Sequence, residues 1–147
     1  MSQSEWSGIA PGTVVEFFEA KELLLGVCLA VKDQRLNVLT ENNREMSLVM
    51  RRVVSASPSR LNPTQHRDDL VRALKKIRQE RESLAAQVDV AELWSVLEGE
   101  TEGYSPQDLA ELVFAGAVTD DHVAAVQRVL LADRLYFQFK DGLFAAR

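Results

Sequence analysis

The sequence predicts an α+β fold, in which a small antiparallel SH3-like β-barrel precedes a helical, winged-helix-like domain. Three observations predict it. Apolar residues alternate with period two from Thr13 to Val54. After Asn62-Pro63 the apolar spacing becomes helical and stays so to about Ala132. The tail then alternates again around Asp141-Gly142, a strong hairpin signal. The ranges that follow are a flexible leader over 1–9, a barrel over 10–55, a linker over 56–61 and a helical domain over 62–147 that ends in a β-hairpin.

In the barrel, Val14 and Phe18 fall on one face of a first strand, and Val15 and Phe17 on the other. Leu23, Leu25, Val27, Leu29 and Val31 occupy alternate positions of a second strand and suit a core, with Leu24, Gly26, Cys28 and Ala30 opposite. Leu36, Val38 and Thr40 form a third strand, and Asn42-Asn43 offers a two-residue turn because Asn tolerates positive φ. Met46, Leu48 and Met50 alternate again, and Val53-Val54 closes the set. Five short strands joined by tight turns curl into a small barrel. Ser55-Ala56-Ser57-Pro58-Ser59 reads as linker by composition.

In the helical domain, Asn62-Pro63 predicts the start of a helix that runs to about Gln87, with Leu70, Leu74, Ile77, Leu84 and Val88 apolar and Arg81 interrupting the stripe. Asp89 and Glu92 resemble a capping box for a second helix, which Gly99 stops. Ser105-Pro106 starts a third, ending at Gly116, and Thr119 caps a fourth. Three helices followed by a hairpin is the winged-helix order. Trp94 is expected to be largely buried, and Trp6, in the leader, exposed or loosely docked.

The chain has 147 residues, a net charge of −5 and one cysteine. Cys28 therefore cannot form an internal disulfide, and in its apolar run it reads as an inert thiol in a reducing, cytoplasmic setting. The longest apolar run, of about nine residues, is too short to span a bilayer, and Met1 to Gly8 has no basic region of the kind a signal peptide needs. The charge is unevenly placed. Residues 51–81 hold 9 Lys or Arg against 3 Asp or Glu, whereas residues 82–147 hold 4 against 12.

A catalytic site is hard to find. There is no Gly-rich phosphate loop. His66 and His122 stand in no metal-ligand spacing and read as solvated residues in first helical turns. Asp68-Asp69 and Asp120-Asp121 point about 100° apart on a helix, so helix-start electrostatics explains them better than metal binding does. The basic band is the stronger signal: Arg51, Arg52, Arg60, Arg67, Arg72, Lys75, Lys76, Arg78 and Arg81 supply the cations that a phosphate backbone needs. Its alternative is a solvated face that balances the acidic regions. A DNA-reading role fits poorly, because the helix before the hairpin opens on Asp120 and Asp121 in an acidic domain.

The segments Pro11-Gly12-Thr13-Val14-Val15-Glu16-Phe17, Leu25-Gly26-Val27-Cys28-Leu29 and Arg44-Glu45-Met46-Ser47-Leu48 with Arg51-Arg52-Val53 resemble the small N-terminal barrel of one bacterial branch of the ribonuclease II family. The aromatic hairpin Leu135-Tyr136-Phe137-Gln138-Phe139-Lys140-Asp141-Gly142 resembles the end of that branch's winged-helix domain. The resemblance covers nearly the whole chain and rests on order and spacing. It implies a part of a magnesium-dependent 3′→5′ exoribonuclease that positions single-stranded RNA, with the metal and its aspartates in a catalytic domain expected to follow in the same polypeptide. No catalytic residue and no cofactor carries over to this stretch, which is not expected to hydrolyse RNA by itself. The rival readings are a protein–protein adaptor and, less well supported, a winged-helix DNA regulator.

Overall fold

A computed structural model describes residues 8–58, 60–116 and 118–147. Trp6 and the start of the leader lie outside the described residues. The chain divides into two units, Met1–Arg78 and Gln79–Arg147.

The first unit is built on five antiparallel strands, β1 (Val14–Glu19), β2 (Glu22–Lys32), β3 (Arg35–Thr40), β4 (Glu45–Val49) and β5 (Val53–Ser57), with a 3-10 turn at Met50–Arg52 before β5. Their order is β4-β3-β2-β1-β5, the pairing expected of a small SH3-like barrel. Ala10-Pro11-Gly12-Thr13 forms the entry turn, closed by the Thr13 N–H donating to Ala10 O at 2.9 Å. Gly12 is required there: its φ is +99°, and a Cβ would stand 2.3 Å from Leu61 O. Ile9, assigned by sequence to the leader, is buried in the barrel's core instead. The β3–β4 loop, Glu41 to Arg44, has four residues, not two. Asn43 N–H donates to Thr40 O, Thr40 N–H to Arg44 O, and Asn43 takes the left-handed φ of 62°.

The alternation in β1 and β2 serves two cores. Val15, Phe17, Leu24, Cys28, Leu36, Val38, Leu48 and Val53 gather with Ile9 on one face. Val14, Leu25, Val27 and Leu39 form the other face and meet Leu70, Leu74 and Ile77. Those three belong to the long helix α1 (Arg67–Ala85), so its first turns pack on the sheet and belong to the first unit. The units divide between Arg78 and Gln79, inside this helix, rather than in the serine-rich stretch. That stretch is strand as far as Ser57: Ser55 Oγ donates to the buried Glu16 carboxylate at 2.8 Å, which is why a strand here carries hydroxyls. A bulge between Cys28 and Ala30 ends the regular burial of β2, leaving Val31 exposed where alternation placed it in the core.

The helix itself starts later than Asn62-Pro63 implies. Asn62 Oδ1 accepts from Thr64 N–H at 3.0 Å in a local turn, and His66 stands before the first helical residue, its Nδ1 accepting from Asp68 N–H at 3.2 Å.

The second unit holds α2 (Val90–Leu97), α3 (Pro106–Phe114), α4 (Asp120–Ala132) and the hairpin β6 (Phe137–Lys140) and β7 (Leu143–Ala146). Asp89 caps α2 and Ser105 caps α3 as their spacing predicts. The left-handed residue closing α3 is Ala115, φ 50°, rather than Gly116. Thr119 N–H donates to His122 Nδ1 at 3.1 Å, so His122 takes the role of Glu in a capping box, with its ring edge-on to Phe114. Leu93, Leu97, Leu109, Ala110, Val126, Leu130, Phe137 and Phe144 form one core. Tyr104 bridges to Phe144, adding a strand position to the hairpin, which turns on Asp141 and Gly142, both at positive φ. Trp94 is half-buried, its Nε1–H donating to Arg147 O at 3.0 Å.

Candidate nucleic-acid interface

The nine cations of the basic band differ in burial and in how firmly internal partners hold them. Arg81, the charge within the apolar stripe, is a core residue. Its side chain is 0% exposed and its Nε donates to Asp121 Oδ1 at 2.9 Å, so it lies on no surface that a ligand reaches. An arginine can enter a core when its charge is matched, as Asp121 matches Arg81 here, although Arg81 Nη1 is buried without a hydrogen bond among the described residues. The same contact changes the reading of Asp121. It is a buried partner for Arg81, and only Asp120 of that pair is left as an exposed helix-start charge.

Arg78 is likewise engaged. Its Nε and Nη2 both donate to the Glu41 carboxylate, and Nη2 also donates to Leu23 O at 2.8 Å. Glu41 is buried and accepts in addition from Leu25 N–H at 2.8 Å. This bidentate pair holds the last sheet-packed turn of α1 against β2 and the β3–β4 loop. Arg67 is bound at the other end of the packed region, to Asn43 Oδ1 at 2.5 Å, Asn43 O at 2.9 Å and Glu45 Oε2 at 2.7 Å. Arg52 donates from Nη2 to Phe18 O at 2.6 Å. These four arginines are explained by folding.

The others are exposed. Arg51 lies in the 3-10 turn and Arg60 beyond β5. Arg72, Lys75 and Lys76 lie on the side of α1 away from Leu70, Leu74 and Ile77, within an arc of about 100°. Arg72 reaches Asp69 at 2.9 Å, but both side chains are largely in water, at 75% and 52% exposure, so the pair is weak and readily exchanged for another anion. Among the described residues Lys75 and Lys76 make no ion pair, and Lys76 does not close the i,i+4 pair with Glu80 that their spacing allows. The row Arg72-Lys75-Lys76 is thus the part of the band on α1 that the fold does not consume.

The rest of the surface chemistry is sparse. Among the described residues no group of three or more His, Cys, Asp or Glu is placed to hold a metal ion. No helix among them is long and apolar enough to cross a membrane. Cys28 is buried, and that burial raises its thiol pKa against a smaller opposing effect of its bond to Ala30 O, so it carries less thiolate than an ordinary cysteine. Between Arg81 and Arg128 the sequence holds ten Asp or Glu and no Lys or Arg, so the surface of α2 and α3 offers a phosphate no cation.

Sequence reasoning missed Glu41 and the Arg81–Asp121 pair, because partners 37 and 40 residues apart leave no local periodicity. The one visible clue was Arg81 itself, a charge sitting in an otherwise apolar stripe.

A family model described as the ribonuclease II winged helix domain matches residues 76–147. Comparisons with curated proteins and with solved structures found no match.

Proposed function

Because residues 76–147 belong to the ribonuclease II winged helix domain family, we propose that this chain binds single-stranded RNA and positions it for the catalytic domain of a magnesium-dependent 3′→5′ exoribonuclease, that domain being part of the same polypeptide. The observation that carries the reading is the unconsumed cation row on α1. Arg72, Lys75 and Lys76 are exposed on one arc of a regular helix, while neighbouring Arg78 and Arg81 are held internally. Long, mobile cations on a rigid element suit a phosphate backbone that must move past them, since they attract charge without reading bases. In this reading the chain supplies attraction and alignment, and magnesium supplies its Lewis-acid chemistry in the catalytic domain.

The test is a titration of fluorescent single-stranded RNA at several salt concentrations. Each phosphate contact contributes about 0.7 to the slope of log K against log salt for single strands. Replacing Arg72, Lys75 and Lys76 together with Ala is expected to flatten that slope by about two units and to weaken binding alike for every sequence. The fold survives, because Ala is a good helix former and none of the three packs in a core. An unchanged slope, or a parent protein without RNA affinity, would falsify the reading.

A further inference from the structure

The face of the second unit built from α2 and α3 has a different chemistry from the cation row. A groove of about 190 Å³ runs there, lined by Asp89, Glu92, Leu93, Val96, Leu112 and Val113. Leu93, Val96, Leu112 and Val113 form its aliphatic part beside the polar Gln87, and two of them are bare: Val96 is 62% exposed and Leu112 48%. Exposed valine and leucine facing one cleft, rather than scattered singly, mark a surface that is covered at some time. The rim is acidic. Asp89 and Glu92 line it, Glu111 adjoins Leu112, and over residues 89–114 there are seven Asp or Glu and no Lys or Arg.

That combination excludes a nucleic acid as the occupant, since phosphates would meet carboxylates only. It also disfavours an acidic or neutral peptide, which would leave the carboxylates without counter-charges. From this charge complementarity we infer that the α2–α3 groove docks a basic amphipathic segment of a partner protein. One or two aliphatic side chains fill the cleft between Val96 and Leu112, and Lys or Arg on the flanks meets Asp89, Glu92 and Glu111. The volume suits the anchor residues of a single helix laid in a groove, whose apolar positions recur at i, i+3, i+4 and i+7. The rim charges set the encounter rate and the choice of partner, and the aliphatic contact sets the residence time. The inference is independent of RNA binding by α1.

Three peptides of roughly 18 residues, long enough to form a helix on binding, test it against the full chain by anisotropy of a labelled peptide. The first places Leu at i, i+3, i+4 and i+7 on a Lys background, the second replaces Lys with Glu, and the third replaces Leu with Ser. Only the Leu–Lys peptide is expected to bind, the other two at least roughly tenfold more weakly. Val96→Ser with Leu112→Ser is expected to weaken that binding by roughly tenfold or more. Both side chains are exposed, so the doubly substituted protein keeps the parent's thermal melt and its RNA affinity. Equal binding by parent and doubly substituted protein, equal binding of the Ser–Lys peptide, or no binding at all would overturn the proposal. So would self-association of the parent in sedimentation that the two substitutions abolish, for then the occupant is a second copy of this chain.

Discussion

Single side chains decide more of this molecule than their neighbours in sequence suggest. Arg81 and Asp121 are the sharpest case, a charged pair with one member fully enclosed and the other nearly so. Removing one member leaves the other buried without its counter-charge, a loss of about 3 kcal/mol or more. Asp121→Ala is therefore expected to lower the unfolding free energy of the second unit by about that much in urea. Arg81→Met with Asp121→Leu is expected to recover most of it, because apolar groups of similar size replace a buried ion pair at little cost. A double substitution as damaging as the single one would show that the pair does more than neutralise itself. Glu16 teaches the same lesson from the other side. It sits 1% exposed in a strand otherwise read as apolar, and it makes a hydroxyl-bearing β5 necessary.

At the scale of elements, what was legible in the sequence was whatever repeats locally. The period-two runs of β1 to β4, the Asp89 and Ser105 caps and the Asp141-Gly142 turn are all found where their spacing puts them. Composition misled at Ser55-Ala56-Ser57, where strand pairing with Val14 to Glu16 overrides a turn-like sequence. It misled again at Asn62-Pro63, where the Asn side chain closes a local turn in place of a helix. The third strand position at Tyr104 was invisible, since one bridged residue has no period. That bridge gives the hairpin its hold on the helices. Phe144 is fully buried, its N–H and C=O both bond to Tyr104, and it lies in the core with Leu109 and Leu130. Phe144→Ala is expected to destabilise the second unit by about 3–5 kcal/mol. That is comparable to the whole stability of a unit this small, so the near-ultraviolet dichroism of Trp94 and Tyr136 should collapse. Retention of that signal would mean the hairpin is an appendage.

On the scale of the whole molecule, the candidate site followed from counting charges, but its division did not. The sequence shows nine cations in a band, and only three-dimensional partners separate Arg67, Arg78 and Arg81 from Arg72, Lys75 and Lys76. The unit boundary inside α1 has a testable result of its own. A chain ending at residue 58 would expose Val14, Leu25, Val27 and Leu39 to water, whereas one ending at residue 85 keeps Leu70, Leu74 and Ile77 over them. The shorter chain is expected to aggregate or to lack a cooperative melt, and the longer to fold. A soluble, cooperatively melting shorter chain would show that the helix is dispensable to the barrel.

The uneven placement of charge has a consequence for how the protein responds to its medium. Of the ten carboxylates between Arg81 and Arg128, Asp121 is matched by Arg81, and the other nine, without a single Lys or Arg among them in sequence, repel one another most strongly in dilute electrolyte. Added ions relieve that repulsion and firm the helical unit, while under the proposed function the same ions would compete with Arg72, Lys75 and Lys76 for RNA phosphates. If the α1 cations bind RNA as proposed, ionic strength pulls in opposite directions on folding and on capture, and the conditions under which the helical unit is sturdiest are those under which the strand is held most loosely.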